Sequence, residues 1–194
     1  MGRASRRRVF VVLMAASLLA GCARADVVAV SYAPTDPVRA TGSGAVRLVV
    51  VDERPADRER ISTKINTLGM SMGAVQSETE VREVVHQALR EEFERRGYAL
   101  TSAGSTVTVT VERFENDYAP AGVDFAASGT VVLAAAVTSP SGAPLLARGY
   151  QGRSTATVFR ADAANAAQSV AAALGDAIAR MFADPAFRQA LATG

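Results

Sequence analysis

The sequence predicts an α+β fold, a two-layer sandwich in which a mostly antiparallel sheet of about four to five strands carries two amphipathic helices on one face. Three observations predict it. A helix-period apolar stripe runs through residues 81–93, strand-like segments follow between residues 105 and 159, and a second helical stripe covers residues 170–182. Each helix needs an apolar partner and the sheet has one apolar face, so we expect both helices to pack there.

The chain begins with a leader that is typical of an exported bacterial protein. Four arginines in the first eight residues precede the apolar run from Val9 to Ala20. This run is too short for a transmembrane helix, which needs about 20 apolar residues. We therefore predict a signal peptide over residues 1–21 that is removed on export.

The leader ends at the only cysteine of the chain, in the run Leu19-Ala20-Gly21-Cys22. An aliphatic residue, two small residues and a cysteine resemble a bacterial lipobox, which implies cleavage between Gly21 and Cys22 and acylation of Cys22. A triacylated cysteine anchors stably, since stable anchoring needs at least two chains. The alternative is a buried or reactive free thiol. Because Ala23 rather than Asp follows, we expect an outer-membrane lipoprotein that faces the periplasm.

Removal of the leader changes the charge of the chain. The 21 basic residues fall to 17 against 19 acidic ones, which gives a formal charge of −2. Without a basic stripe or interleaved aromatic residues, we expect no nucleic-acid partner. The mature length of about 170 residues suits one domain. We predict a tether over residues 22–44, with a short edge strand, and a single α+β domain over residues 45–194.

The domain opens with an apolar strand at residues 45–51, and an irregular segment follows over residues 52–77. Long connections in compact domains are often functional. Methionine adapts to varied apolar surfaces, and Met70 and Met72 after Gly69 are compatible with a small hairpin. The alternative is that this segment fills the core with its own apolar residues. The candidate contacts for an envelope protein, a lipid or a glycan are Lys64, Asn66, Met70 and Met72.

The first helix has the clearest pattern in the chain. Ser77 and Glu80 have the spacing of a capping box, and Gly97 is a natural end because it adopts a left-handed conformation without strain. Its apolar stripe consists of Val81, Val84, Val85, Ala88, Leu89 and Phe93.

Three strands follow the first helix. Residues 105–114 alternate between valine and polar residues, which indicates one covered and one solvated face. Residues 123–137 are more apolar than this first strand, which favours a central strand, and residues 145–159 return as its partner. Gly149 and Gly152 in this last strand indicate a bulge or a close backbone approach.

The chain ends with a second amphipathic helix that starts near Asp162, and with a short terminal helix to about Leu191. Asp184 and Pro185 predict the start of that terminal helix, as a cap and a first-turn proline. The apolar stripe of the longer helix consists of Val170, Leu174, Ala177, Ile178, Met181 and Phe182.

The residues that carry chemistry do not form a recognisable catalytic or metal-binding pattern. His86 is the only histidine and lies on the polar side of the first helix, so a solvated side chain is expected rather than a metal ligand. Adjacent helical residues such as Glu91 and Glu92 point about 100° apart and do not converge. Gly69-Met70-Ser71-Met72-Gly73 has the G-x-S-x-G spacing, but it lies in the segment compatible with a hairpin and not in the strand-to-helix turn that a nucleophile elbow requires. We therefore predict no catalytic residue, no metal and no cofactor.

The chain resembles the YajG-type bacterial lipoproteins in the lipobox, VRLVVVDERP, the ISTK…LG run and EVREVVHQALREEFERRGY, in that order. The resemblance implies an outer-membrane-associated periplasmic lipoprotein without catalytic residues. We expect a non-enzymatic module that holds an envelope complex or a ligand near the outer membrane. The strand–loop–helix–strand order also resembles auxiliary lipoproteins of ABC-type lipid transport systems. An envelope hydrolase is the alternative of another class.

Overall fold

The structure is a computed structural model that describes residues 25–34, 42, 44–55 and 57–193. The leader, Gly21 and Cys22 lie outside the described residues, as do residues 35–41 and 43 of the predicted tether. The α+β class is confirmed, with eight strands and three helices in the described part of the chain.

The strands are β1 (Asp26–Val28), β2 (Ala45–Asp52), β3 (Arg60–Ile65), β4 (Ser71–Ser77), β5 (Ala99–Leu100), β6 (Ser105–Ala121), β7 (Asp124–Thr138) and β8 (Pro144–Val158). The helices are α1 (Val81–Arg95), α2 (Ala163–Ala183) and α3 (Pro185–Thr193).

Strand β6 is the centre of the sheet. One of its edges pairs with β7 over nearly the whole strand, and β7 pairs with β8. The other edge pairs with β2 near the start of β6 and touches β3 farther along, where Ser62 lies opposite Asn116. Beyond β3 come β4 and then β1, and beyond β2 comes β5.

The sheet differs in two respects from the expected four to five mostly antiparallel strands. It is larger, because the segment expected to be irregular contains the antiparallel pair β3–β4 over residues 60–77, which agrees with the small hairpin expected at Met70 and Met72. It is also mixed, because β1 pairs parallel with β4, and β2 pairs parallel with both β5 and β6. Helix α1 provides the crossover that a parallel connection requires.

The predicted apolar stripes of both long helices are buried in one core. Helix α1 packs mainly on β2, and α2 packs mainly on β7 and β8. Every second residue of β6 and β7 is buried over long runs. The expected covered face of β6 is confirmed, since Val107, Val109 and Val111 are fully enclosed. None of the helices in the described residues has the length and apolarity needed to cross a bilayer.

The predicted capping box at the start of α1 is wrong. Glu80 is the N-cap residue and its side chain makes no capping hydrogen bond. Ser77 ends β4 and lies opposite Val28 of β1, so the sheet holds the serine away from the helix start. The Ser-x-x-Glu spacing arises here from the end of a strand.

The predicted starts of the two last helices are confirmed. Asp162 caps α2 by accepting a hydrogen bond from the backbone N–H of Asn165 at 2.9 Å. Asp184 accepts a hydrogen bond from the N–H of Ala186 at 2.9 Å, so that α3 begins at Pro185.

Candidate functional site

The predicted contact segment forms the β3–β4 hairpin, and two of its four candidate residues have structural roles. The side-chain oxygen of Asn66 accepts hydrogen bonds from the N–H groups of Leu68 and Met70, both at 3.0 Å, and so holds the turn. Lys64 forms an ion pair with Asp26 of β1, with Nζ 2.7 Å from Oδ2. This pair fastens the first strand to the hairpin.

The other two candidates, Met70 and Met72, project into solvent. Their exposed fractions are 55% and 60%, and that of Leu68 in the same turn is 79%. Met70 and Met72 therefore do not fill the core, which was the alternative prediction. Ile61 and Val75 of the same hairpin do, since both are buried. The hairpin thus buries its base and exposes apolar side chains at its turn.

A second feature is the open edge of β2. Strand β5 covers only the start of this edge, where Ala45 and Val46 have partners, and no other strand of the described chain pairs there. The carbonyl of Val46 accepts from the N–H of Thr101 on the β5 side, whereas the N–H of Glu53 donates to Val111 of β6. Backbone groups alternate between the two edges of a strand. Leu48, Val50 and Asp52 therefore direct their N–H and C=O groups to the open side.

A groove accompanies this open edge between β2 and α1. Near the end of β2 it widens to a cleft of about 350 Å³, and near the start of β2 to one of about 450 Å³. The first cleft is lined by Val50, Val51, Asp52, Arg58, Glu59, Glu80, Val81 and Arg82. The second is lined by Val46, Arg47, Leu48, His86, Arg90, Glu94, Leu100, Thr101 and Ser102. Both have apolar floors and rims of mixed charge.

His86 belongs to the second cleft and is half-buried, not solvated as expected. The reason is that α1 lies close to the edge of the sheet, so its polar side faces the groove. The Nδ1 atom of His86 is enclosed and has no hydrogen-bond partner among the described residues.

Asp52 borders the first cleft, and its carboxylate forms an ion pair with Arg54. The Nη2 atom of Arg54 lies 2.8 Å from Oδ2 of Asp52, and both side chains are less than a tenth exposed. Burial raises the pKa of Asp52, but the hydrogen bonds and the charge of Arg54 outweigh burial and lower it below its ordinary value. An ionised, fully engaged carboxylate is a poor general base, because its proton affinity is reduced.

Glu92 is a buried acid whose importance the sequence analysis missed. It is 3% exposed, and its oxygens accept hydrogen bonds from Tyr32, Arg95 and Arg96 at 3.1, 2.7 and 2.7 Å. The signal was present, since Glu92 follows Val85 by seven residues and Ala88 by four, on the apolar stripe of α1. A carboxylate on such a stripe is buried with its partners.

The described residues contain no group of three or more histidine, cysteine or acidic side chains that could hold a metal ion. In this part of the chain the buried carboxylates, Asp52 and Glu92, are both held by arginine. The arrangement is suited to binding through backbone groups and apolar side chains.

The sequence matches one family model over most of its length. The family is described as uncharacterized lipoprotein, and its model covers residues 34–192. No protein with a curated description shows a significant match.

Comparison with solved structures supports the fold. Protein XCC0632 from Xanthomonas campestris has a TM-score of 0.64 at 15% identity, over 86% of this chain and 98% of that chain. Lipoprotein GNA1162 from Neisseria meningitidis has a TM-score of 0.35 at 10% identity, over 59% of this chain and 85% of that chain. The first likeness shows a shared fold and nothing about activity, and the second is too low to support an argument.

Proposed function

Because the chain belongs to this family of uncharacterized lipoproteins, we propose that it is a non-catalytic binding module anchored by acyl chains on Cys22 to the outer membrane, facing the periplasm. Within the family we assign it to the YajG type, on the order of the lipobox, VRLVVVDERP and the helix EVREVVHQALREEFERRGY. Its role is to hold an extended segment of an envelope protein against the open edge of β2.

The observation that carries this proposal is the unpaired stretch of β2 beside the groove. Leu48, Val50 and Asp52 present backbone donors and acceptors at two-residue spacing, which matches an added strand. The short strand β5 already pairs in parallel with the start of the same edge. A bound segment would extend that pairing, with its side chains over the apolar floor of the groove.

The other edges of the sheet are less suited to this role. On β8, the N–H of Arg153 donates to Oδ2 of Asp176 in α2 at 3.0 Å, so the helix occupies part of that edge. On the opposite side, β1 has only three residues. Natural sheets protect exposed edges in these ways, by covering them or by keeping them short. The open stretch of β2 differs from both because a groove runs beside it.

The role as an auxiliary lipoprotein of an ABC-type lipid transport system remains a hypothesis that rests on element order. The two proposals differ in the ligand. Strand addition at the open edge of β2 requires a peptide, whereas a transport role concerns lipid. A hydrolase is disfavoured in this proposal by the arginine pairing of Asp52 and Glu92.

The test uses photo-crosslinking in intact cells from both walls of the groove. A photoreactive residue at Arg47 on β2, or at Arg90 on α1, is expected to capture the same short segment of one protein. Gln151 on β8 is the matched control, since it is also exposed on a strand. Capture of unrelated proteins from the two walls, or equal capture from Gln151, would contradict the proposal.

Hydrogen exchange on the purified lipoprotein then tests the mode of binding. With the captured segment added as a synthetic peptide, the amides of Leu48 and Val50 should slow by about tenfold or more, because they gain partners. The amides of Val49 and Val51 already face β6 and should change little. Binding without protection at Leu48 and Val50 would rule out strand addition.

A further inference from the structure

Most of the exposed large apolar side chains lie at one end of the sheet. Among the described residues, seven such side chains are exposed, and five belong to this end. We call these five the tip cluster: Leu68 (79% exposed), Met70 (55%), Met72 (60%), Val123 (81%) and Phe159 (73%). Single exposed apolar residues are ordinary, but several together mark an interaction surface.

The pairing of the strands brings the tip cluster together. The turn between β3 and β4 lies beside the end of β6, since a Cβ built on Gly69 would be 3.8 Å from Cγ of Pro120. The turn between β6 and β7 contains Val123. Phe125 of β7 pairs with Val158 of β8, so that Phe159 follows next to the same turn.

The direction of β1 relates the N-terminal segment to the tip cluster. Strand β1 is parallel to β4, with Asp26 opposite Val75 and Val28 opposite Ser77. Strand β4 starts at Ser71 beside the tip cluster and runs away from it. Followed backwards from Asp26, the chain is therefore directed towards the tip cluster.

The length of the remaining chain fits this direction. Cys22 is four residues before Asp26, and four residues span at most about 14 Å. Four residues of β4, from Val75 back to Ser71, span about 13 Å. An acyl chain on Cys22 can therefore enter the bilayer at the same height along the strands as the tip cluster.

We propose that the tip cluster rests in the headgroup region of the bilayer that holds the acyl anchor. The occupant of this apolar end is thus a lipid surface, because the anchor keeps a bilayer within reach of it. Arg160 is exposed next to Phe159, and Asp124 follows Val123, so the end carries both signs of charge. It therefore suits zwitterionic lipid and needs no excess of anionic lipid.

Contact between the tip cluster and the bilayer also fixes the distance of the groove beside β2 from the membrane. Strand β2 ends opposite Val111 of β6, and Pro120 near the tip cluster is nine residues farther along β6. At about 3.3 Å per residue the two levels are separated by about 30 Å. With the tip cluster on the bilayer, the open edge of β2 stands in the periplasm, clear of the headgroups.

The inference rests on the proposed acyl anchor, and the test separates the two. The full acylated lipoprotein is reconstituted in vesicles of phosphatidylethanolamine and phosphatidylglycerol, with a polarity-sensitive fluorophore on a cysteine introduced at Leu68, Val123 or Phe159. Acylation of Cys22 leaves the new thiol as the single labelling site. Val51, which is exposed on β2 far from the tip cluster, is the matched control.

Labels at the tip cluster should shift to the blue and be quenched by lipids with a spin label near the headgroup, at least about twofold more than the label at Val51. Equal quenching at all four positions, with protein still floating with the vesicles, would overturn the seating and leave the anchor intact. Failure to float would overturn the anchor itself. A blue shift that lipid quenchers do not reduce would indicate contact between copies of the chain, and would also overturn the seating.

A triple variant tests the same point by loss. Replacing Leu68, Val123 and Phe159 by serine changes only side chains that are more than 70% exposed, so the fold should be retained. Lipid quenching of a label at Met70 should then fall to the level of the label at Val51. Unchanged quenching in this variant would show that the apolar side chains do not seat the domain.

Discussion

The hydroxyl of Tyr32 donates a hydrogen bond to Oε2 of Glu92, 3.1 Å away and sixty positions farther along the chain. Arg95 and Arg96 bind the same carboxylate, and the guanidinium of Arg96 lies 4.4 Å from the centre of the Phe182 ring. One buried acid therefore joins the N-terminal segment, α1 and α2. This contact ties down the chain that leads from the predicted anchor.

We expect Tyr32→Phe to loosen the N-terminal segment. The variant keeps the ring but removes a hydrogen bond to a charged group, which contributes about 2 kcal/mol to the free energy of unfolding. Urea unfolding should show a loss of this size, and the amides of β1 should exchange faster than in the parent protein.

Tyr98→Phe is the matched control, because the Tyr98 hydroxyl makes no hydrogen bond to the described residues while its ring packs on Phe93. Its stability should change by less than about 0.5 kcal/mol. Equal effects of the two variants would show that the bond to Glu92 contributes nothing specific.

Local patterns predicted the helices because helix formation here depends on residues that are close in sequence. The stripe from Val81 to Phe93 is buried throughout, and Asp184 begins α3 as expected. These signals depend on spacing within one or two turns, which a sequence shows directly.

The extra strands depend on contacts between distant residues. Strand β3 has the sequence RISTKI, in which the polar residue Ser62 is buried. A polar residue at a buried position obscures the pattern that would indicate a strand inside the sheet. The hydroxyl of Ser62 donates to the carbonyl of Asn116 at 2.7 Å, and the side-chain amide of Asn116 donates back at 3.0 Å. Neither residue indicates burial by itself, because the hydrogen bonds that compensate for its burial come from a partner 54 positions away.

In the candidate site, too, the local features were predicted and the features that depend on distant contacts were not. Met70 and Met72 were found by residue type, and the exposure of both agrees with a contact role. The open edge of β2 was not found, since it exists only because β5 is too short to cover its neighbour. The pattern of a strand indicates which face is buried but does not show which edge lacks a partner.

We expect Gly152→Ala to destabilise the domain strongly. Strand β8 passes so close to α2 that a Cβ at Gly152 would lie 2.0 Å from the carbonyl oxygen of Ala173 and 2.4 Å from the nitrogen of Ala177. Backbone atoms must move apart to admit it, at a cost of about 3 kcal/mol. Thermal unfolding followed by circular dichroism should show a correspondingly lower midpoint.

Gly149→Ala is the matched control on the same strand, because a Cβ there meets nothing within 4 Å. It should leave the midpoint unchanged or raise it slightly, since alanine restricts the unfolded chain. If both variants lowered the midpoint equally, the cost would come from the strand position and not from the contact with α2.

Asp184 follows the last residue of α2, and its carboxylate links β8 to α3. Its Oδ2 atom accepts hydrogen bonds from the Tyr150 hydroxyl at 2.7 Å and from Nη1 of Arg148 at 2.8 Å, both in β8. Its Oδ1 atom caps α3 through the N–H of Ala186. The hydrogen bonds from Tyr150 and Arg148 lower the pKa of Asp184 from 3.8 to about 2.

The lowered pKa predicts how Asp184→Asn changes the response to acid. The ionised form is favoured in the folded state, so its contribution to stability is complete above about pH 4 and is lost as the pH falls towards 2. The difference in urea midpoint between the parent and Asp184→Asn should therefore be large at about pH 6 and shrink at about pH 2.5. Glu78→Gln is the control, since Glu78 is exposed and its side chain makes no hydrogen bond or ion pair in the described part of the chain. A difference for Asp184→Asn that stays constant over this range would show that the Tyr150 and Arg148 contacts do not favour the ionised carboxylate.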